Sequence, residues 1–173
     1  MSQPITFFSG LTAFLFFTTG TCFAQNGKID FAKLHVSGLA VMVSKSQVAK
    51  LLGKPLAVVE PHYECGEYSS QQMGQKFYEL CYRQAVFIGN LRQGYELELF
   101  KFTPAGPARL TYGRWQLSAA TTLPEFARMV GPLETYKAKD GSVEVVVRQQ
   151  DATATFTFKA GRLTEYALHG VGC

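Results

Sequence analysis

Apolar and polar residues alternate along much of the chain, and this pattern predicts many short strands. The clearest case is residues 152–158, where Ala154, Phe156 and Phe158 point to one side of an extended strand and the threonines between them point to the other. Such a strand packs one face on a core and leaves the other face in water. Further strands are predicted at residues 39–43, 57–63, 77–82, 86–88, 95–102, 115–119, 134–138, 143–148 and 163–168.

Two segments instead carry the signals of short helices. In each, a capping box precedes a set of apolar residues on one helical face, first at 44–47 and then at 122–125. Gly53 and Gly131, each followed closely by proline, end the two helices. Each glycine lies nine positions after its cap residue, and the second helix follows the first at an offset of 78 residues.

The matching helices predict a chain that repeats one unit of strand, helix and antiparallel meander. Residues 34–102 and 112–169 are the two predicted copies, and the segment 103–107, with two prolines and a glycine, joins them. Each copy is close to the size at which a single core becomes marginal, so the copies are expected to pack together. The prediction is therefore one α+β domain over residues 25–173.

The first residues differ in composition from the rest of the chain. Among 173 residues there are 17 Lys and Arg and 13 Asp and Glu, yet residues 1–24 contain none of them. An apolar run at 5–17 and small residues before position 25 predict a signal peptide. The alternatives are an uncleaved membrane anchor and a lipoprotein modified at Cys22. The protein is therefore expected to be exported, to the periplasm or outside the cell, with membrane contact only through a retained leader.

Charge and motifs exclude several functional classes. The net charge of +4 is not concentrated in any run of like charges, so no nucleic-acid partner is predicted. The hydrophobic fraction of 47% suits a globular domain better than a protein with many membrane spans. No phosphate loop, dinucleotide fingerprint or metalloprotease motif occurs in the sequence, and no cofactor is predicted.

Export also determines what is expected of the cysteines. Removal of the leader leaves Cys65, Cys81 and Cys173, and an oxidising compartment favours their pairing. A Cys65–Cys81 bridge is predicted across a polar loop that contains glycine, and closing this loop would contribute about 3 kcal/mol of stability. The alternative is a Cys65–Cys173 bridge that ties down the C-terminus.

Residues 42–55 carry a resemblance to known exported proteins. The run 42–48 resembles the Gly-Met-Thr-x-x-x-Val motif of the secreted β-lactamase inhibitor proteins and the small outer-membrane assembly lipoproteins, although Met42 and Val43 stand where that motif has glycine and methionine. The stretches 63–66 and 77–82 also resemble a family of bacterial secreted proteins. The resemblance implies an exported tandem α+β fold, and no binding residue is carried over from it.

Aromatic side chains supply the candidate binding surface. The chain has eight tyrosines and one tryptophan, and exposed Tyr and Trp are typical anchors of protein interfaces. In the predicted strand 77–82, Tyr78, Leu80 and Tyr82 share one face, and Phe77 lies on the other. The alternative is that the tyrosines are ordinary half-buried residues of a sheet. The candidate binding residues are Tyr63, Tyr68, Tyr78, Tyr82 and Trp115.

The densest polar cluster lies at residues 60–67 and contains imidazole, carboxylate and thiol groups. These are the ligand types that transition metals prefer, which makes His62, Glu64 and Glu67 the candidate ligands. In an extended segment His62 and Glu64 share a face while Cys65 points away, so no metal site is predicted. Glu96 and Glu98 also share a strand face, and both are expected in water.

The sequence therefore predicts a non-catalytic binding module for a protein or a cell-envelope component. The alternative is a small hydrolase or metal-dependent enzyme that uses His62, Glu64 and Cys65. No catalytic constellation is recognised in the sequence.

Overall fold

A computed structural model of the protein describes residues 30–106, 108–149 and 152–169. The predicted leader and two of the four cysteines, Cys22 and Cys173, lie outside these ranges. Within them, no helix combines the length and the apolar character that crossing a membrane requires.

Short strands joined by tight connections make up most of the described chain, as the alternating pattern predicts. Every strand pair in the described ranges is antiparallel, and the only helices found there are three short α-helices and one 3₁₀ turn. This mixture agrees with an α+β class. The strands are β1 (Leu34–Val36), β2 (Leu39–Ala40), β3 (Met42–Val43), β4 (Ala57–Val59), β5 (Tyr78–Cys81), β6 (Ala85–Asn90), β7 (Gly94–Lys101), β8 (Leu110–Tyr112), β9 (Trp115–Leu117), β10 (Glu134–Lys137), β11 (Val143–Gln149), β12 (Ala152–Lys159) and β13 (Arg162–His169). The helices are α1 (Lys45–Leu52), α2 (Ser70–Met73) and α3 (Leu123–Val130), and the 3₁₀ turn is Phe31–Lys33.

The strands form two sheets. The larger has the order β10-β11-β12-β13-β7-β6-β5-β4, and the smaller has the order β2-β1-β8-β9. The larger sheet thus consists of two four-stranded meanders that meet where β7 pairs with β13, with Leu99 opposite Ala167. The short strand β3 continues the same edge of β7, where Val43 lies opposite Tyr95.

Both predicted helices are confirmed, together with their ends. The Ser44 hydroxyl of α1 accepts from the Gln47 backbone N–H at 3.3 Å, and the Gln47 side chain accepts from the Ser44 N–H at 2.9 Å. In α3, Thr122 and Glu125 form the same reciprocal pair at 3.3 and 2.8 Å. Each helix ends at a glycine with positive φ, 80° after α1 and 87° after α3, a conformation that favours glycine.

One main core joins α1, α3 and the smaller sheet to one face of the larger sheet. In α3, Phe126 is fully buried and its ring centre lies 4.6 Å from that of Phe156 in β12. The predicted inward residues of β12 are confirmed, since Ala154, Phe156 and Phe158 are all buried. Leu34 of β1 belongs to the same cluster of buried side chains.

A second, smaller apolar region lies on the opposite face of the larger sheet. Ile88 follows Phe87 in β6 and therefore points to the other face, yet both are almost completely buried. Phe87 belongs to the main core, and Ile88 does not. Phe77, which is 1% exposed, also lies outside the main core and meets the ring of Tyr68 edge-on at 5.5 Å. Something must therefore cover this outer face of the first meander.

Candidate functional site

The connection from β4 to β5, residues 60–77, lies over the outer face of the first meander. It contains α2 and the fully buried Ser69, whose hydroxyl accepts from the Gln72 backbone N–H at 3.3 Å. The corresponding connection between β10 and β11 has only the five residues 138–142. We call residues 60–77 the cover segment.

Tyrosine hydroxyls of the cover segment bind glutamates of the sheet beneath. The Tyr63 hydroxyl donates to Glu98 Oε1 at 2.8 Å and lies 3.4 Å from Glu79 Oε1. The Tyr68 hydroxyl donates to Glu96 in a short hydrogen bond. Two of the predicted binding residues, Tyr63 and Tyr68, are thus brought together, and they hold the cover segment against β5 and β7.

The sheet beneath this segment places its carboxylates in a row. Glu79 of β5 lies opposite Ile88 of β6, which lies opposite Glu96 of β7. The prediction that Glu96 and Glu98 are fully solvated is wrong, because the cover segment leaves both only partly exposed. Burial raises the pKa of Glu96, and the hydrogen bond from Tyr68 opposes that rise. Burial likewise raises the pKa of Glu98, again opposed by its tyrosine partner.

The candidate metal ligands do not form a centre. His62, Glu64 and Glu67 are exposed, and within the described residues no group of three His, Cys, Asp or Glu side chains is placed to hold a metal ion. Glu67 instead lines a cavity of about 300 Å³ beside Tyr68 and Glu96. The residues of the alternative enzyme hypothesis therefore do not converge in the described part of the chain.

The predicted Cys65–Cys81 bridge is wrong, because the Cys81 thiol is free. Cys65 is not a free thiol, and its partner is not Cys81. The strand register gives the reason. Ala57 of β4 lies opposite Cys81, but the chain leaves β4 beyond Val59, opposite Glu79, so the segment with Cys65 starts from the other end of β5. The alternative bridge involves Cys173, outside the described residues.

Tyr78 and Tyr82 lie on the core side of β5 and are not an open aromatic face. Leu80, between them, is fully buried, and both tyrosines pack half-buried against the main core. The Tyr82 ring meets Phe87 edge-on at 6.2 Å. Its hydroxyl oxygen is buried and has no hydrogen-bond partner among the described residues, and burial raises the pKa of this phenol.

The fifth candidate, Trp115, lies apart from the others, on the smaller sheet. It begins β9, is 40% exposed, and carries the guanidinium of Arg114 over its ring at 5.0 Å. This cation–π contact is typical of a solvent-facing tryptophan.

An exposed apolar strand edge is the feature that sequence reasoning missed. Strand β4 ends the larger sheet, and all three of its residues are exposed, with Val58 at 50% and Val59 at 45%. Leu56, just before it, is 76% exposed. Pro55 and Pro61 flank this strand, and because proline is confined to sheet edges, they were the available signal.

The other end of the larger sheet is protected in the usual way. Strand β10 is also exposed throughout, but it carries Glu134 and Lys137 at its ends. Charged residues on an edge strand oppose pairing with another chain, and β4 has none. The two edges of one sheet therefore differ in their capacity to accept a further strand.

A small cavity opens beside β4. Its volume is about 150 Å³, and its lining combines apolar residues with two cations, Lys54 and Arg83, and no carboxylate. Leu56 and the core-side Tyr82 both reach it. From residue 45 to residue 59 the chain carries three lysines and no acidic residue. The surface at the Leu56 end of β4 is thus apolar and basic, whereas at the other end Glu60 follows the strand and pairs with Lys76 at 3.0 Å.

Comparisons with known proteins add no relative. No family model matches the chain, and searches of the curated proteins and of the solved structures found no match either. The resemblance to the tandem α+β modules of exported proteins stays a prediction from residues 42–55.

Proposed function

We propose that the protein is a non-catalytic binding module that accepts an extended segment of a partner protein along β4. The observation that carries the proposal is the exposed, uncharged and apolar edge of β4, in a sheet whose opposite edge is charged. The predicted leader would place the protein and its partner in the cell envelope or outside the cell.

Strand addition suits both the backbone and the side chains of this edge. A segment pairing with β4 would extend the sheet through main-chain hydrogen bonds, and pockets for side chains would supply selectivity. The cavity beside Leu56 and Tyr82 is such a pocket. Burying the exposed apolar surface of Leu56, Val58 and Val59 contributes about 25 cal/mol per Å².

The charges around β4 favour a partner segment of defined chemistry. Lys54 and Arg83 line the cavity, and no carboxylate is present there to neutralise them. A segment with alternating apolar residues and one or two acidic residues would satisfy both features. Opposite charge also speeds association and selects against basic partners.

We further infer that the two halves of the chain are copies of one unit of strand, helix and meander. The matched capping boxes and the order of the larger sheet support this. Both strand pairings between the halves also join corresponding strands in antiparallel orientation, β1 with β8 and β7 with β13, as a two-fold relation would. On this basis the cover segment is an addition to the first copy, and β4 differs from its counterpart β10 in lacking charged residues. These two differences are where a specific function is expected.

A peptide experiment tests strand addition. The probe is a short fluorescent peptide of alternating valine and threonine that ends in two glutamates, with its binding followed by anisotropy and by amide shifts in NMR. We expect binding, with shifts centred on residues 56–59. The same peptide with alternate backbone nitrogens methylated cannot form the ladder and should not bind.

Matched variants locate the contact. Val58→Lys places a charge on the apolar edge and should abolish binding, whereas Thr135→Lys makes the same change on the edge strand β10 and should leave binding unchanged. Both positions are exposed, so both variants should fold. Equal binding by the methylated peptide, or full binding by Val58→Lys, would overturn the proposal.

A further inference from the structure

We propose a second binding site, for a small carboxylate with an apolar chain, in a cavity of about 410 Å³ at the junction of the two halves. The cavity lies where the linking segment after β7 passes the residues that precede α3 and the first residue of β13. Its volume falls within the range of small-ligand sites, roughly 300–1,000 Å³.

The cavity has an apolar floor. Phe100 and Phe102 contribute two rings at nearly T-shaped geometry with centres 5.0 Å apart, and the buried Leu117 also lines the cavity. Ala108 and Ala119 complete the apolar lining without filling the space. An alkyl chain placed here would be removed from water on several sides.

One wall of the cavity is held by a buried amide. Gln84 is 5% exposed, and its Nε2 donates to the Lys101 carbonyl at 3.3 Å and to the Thr103 hydroxyl at 3.0 Å. Its Oε1 accepts from the Ala108 N–H at 3.1 Å. These three bonds tie the end of β7 to the linking segment, so the cavity is already formed in the absence of ligand.

Two arginines line the cavity and retain free donors. Arg109 donates one N–H to the Gly106 carbonyl at 2.8 Å, and Arg162 donates one to the Ala120 carbonyl. A guanidinium has five N–H donors, so most remain available on each. Neither arginine has a carboxylate within ion-pair distance in the described ranges, and no acidic residue lines the cavity.

The carboxylate that Arg162 influences, Glu125, is already hydrogen-bonded in the capping box of α3. Arg162 helps to lower the pKa of Glu125, but less than the hydrogen bonds from Thr122 do. Glu125 belongs to the capping box of α3, where its Oε2 accepts from the Thr122 N–H and hydroxyl, both at 2.8 Å. The positive charge over the apolar floor is therefore open to an anionic head group, and arginine binds carboxylates in planar, two-bond geometry.

Calorimetric titration of the full chain with decanoate tests the site. We expect saturable binding to one site, with decanol and acetate each at least about tenfold weaker, because the first lacks the charge and the second lacks the chain. Vesicles of anionic phospholipid provide the other source of this head-group chemistry. Binding to vesicles without binding to free decanoate would overturn the proposal.

Variants separate this site from the β4 edge. Arg109→Gln and Arg162→Gln should each weaken decanoate binding about tenfold, while Arg114→Gln, outside the cavity, should not. Ala119→Leu should block binding with every charge retained, and thermal unfolding verifies that it folds. Val58→Lys should leave decanoate binding intact, so either proposal can fail alone. Wild-type affinity in the double arginine variant would refute the site.

Discussion

The two meanders of the larger sheet share a frame, which is a capped helix followed by four antiparallel strands, and they differ in their connections and edges. Each follows a capped eight-residue helix, and each turns one face to the main core. The first meander carries the cover segment on its outer face and a bare apolar edge. The second has a five-residue connection, a charged edge and an outer face on which β12 presents half-exposed threonines. The first meander therefore differs from the second in its long connection and its uncharged edge, and the β4 edge carries the proposed strand-addition site, while the cavity for a carboxylate is lined by residues of both halves.

The largest expected effect is a difference in how much α3 and α1 contribute to the free energy of unfolding. Phe126 of α3 and Val48 of α1 are both fully buried, but Phe126 also makes tilted and edge-on ring contacts with Phe156 and Phe158 of β12. Phe126→Ala should cost about 3–5 kcal/mol of unfolding free energy, and Val48→Ala about 2 kcal/mol. Urea unfolding measures both. Equal losses would mean that the helices share the core more evenly than the ring contacts indicate.

The next effect concerns the cover segment. Phe77 is buried on the outer face and contacts Tyr68, so Phe77→Ala should free the segment at a cost of about 2–3 kcal/mol, less than a core phenylalanine because the main core stays intact. Hydrogen exchange should lose protection around α2 and keep it in β12 and β13. The exposed Gln71→Ala is the matched control. Uniform loss of protection would show that the segment is part of one cooperative core.

A smaller effect tests the likeness of the halves directly. Ser44→Ala and Thr122→Ala each remove the cap hydroxyl from the same reciprocal hydrogen-bond pair. Each should therefore lower the unfolding free energy by about 1 kcal/mol. Circular dichroism during thermal unfolding gives the comparison. If the two losses of unfolding free energy differ by more than about twofold, the two caps contribute unequally to stability despite their equal geometry.

Local signals in the sequence predicted more of the fold than of the site. Capping boxes and helix-ending glycines depend on neighbours three to nine residues away, so both helices could be placed, and alternation placed most strands. The pairing of Leu99 with Ala167, and the strands β1 and β8, depend on contacts more than sixty residues apart, which no local pattern contains.

The same limit explains the errors at the site. Alternation correctly put Glu96 on the face away from the core, but it could not show that Tyr68, 28 residues earlier, would cover that face. The prediction of the Cys65–Cys81 bridge was wrong for a related reason. The length of the loop does not show that the chain leaves β4 opposite Glu79, at the end of β5 away from Cys81.

The smallest effect is a difference in pH dependence between the halves. In the first half, burial raises the pKa of Glu96 and Glu98 above the ordinary value of 4.5, so the folded state binds their protons more tightly than the unfolded state does. Stability contributed by these groups is present below that value and is lost as the pH rises through the raised pKa.

In the second half the sign is reversed. Hydrogen bonds from Ser142 and the ammonium of Lys159 at 3.2 Å lower the pKa of Asp140 from 3.8 to about 2. Stability from Asp140 is therefore present above pH 3.8 and is lost as the pH falls towards about 2.

Two isosteric substitutions sharpen this contrast. Glu96→Gln keeps an acceptor for Tyr68 and removes the titration, so its urea midpoint should match the wild type near pH 4 and rise above it by about pH 7. Asp140→Asn should instead lose stability at about pH 7 and converge with the wild type towards pH 2. The exposed Glu64→Gln serves as control. If Glu96→Gln is instead less stable than the wild type at neutral pH, the folded protein favours the ionised carboxylate of Glu96. The hydrogen bond from Tyr68 would then outweigh the effect of burial on this group.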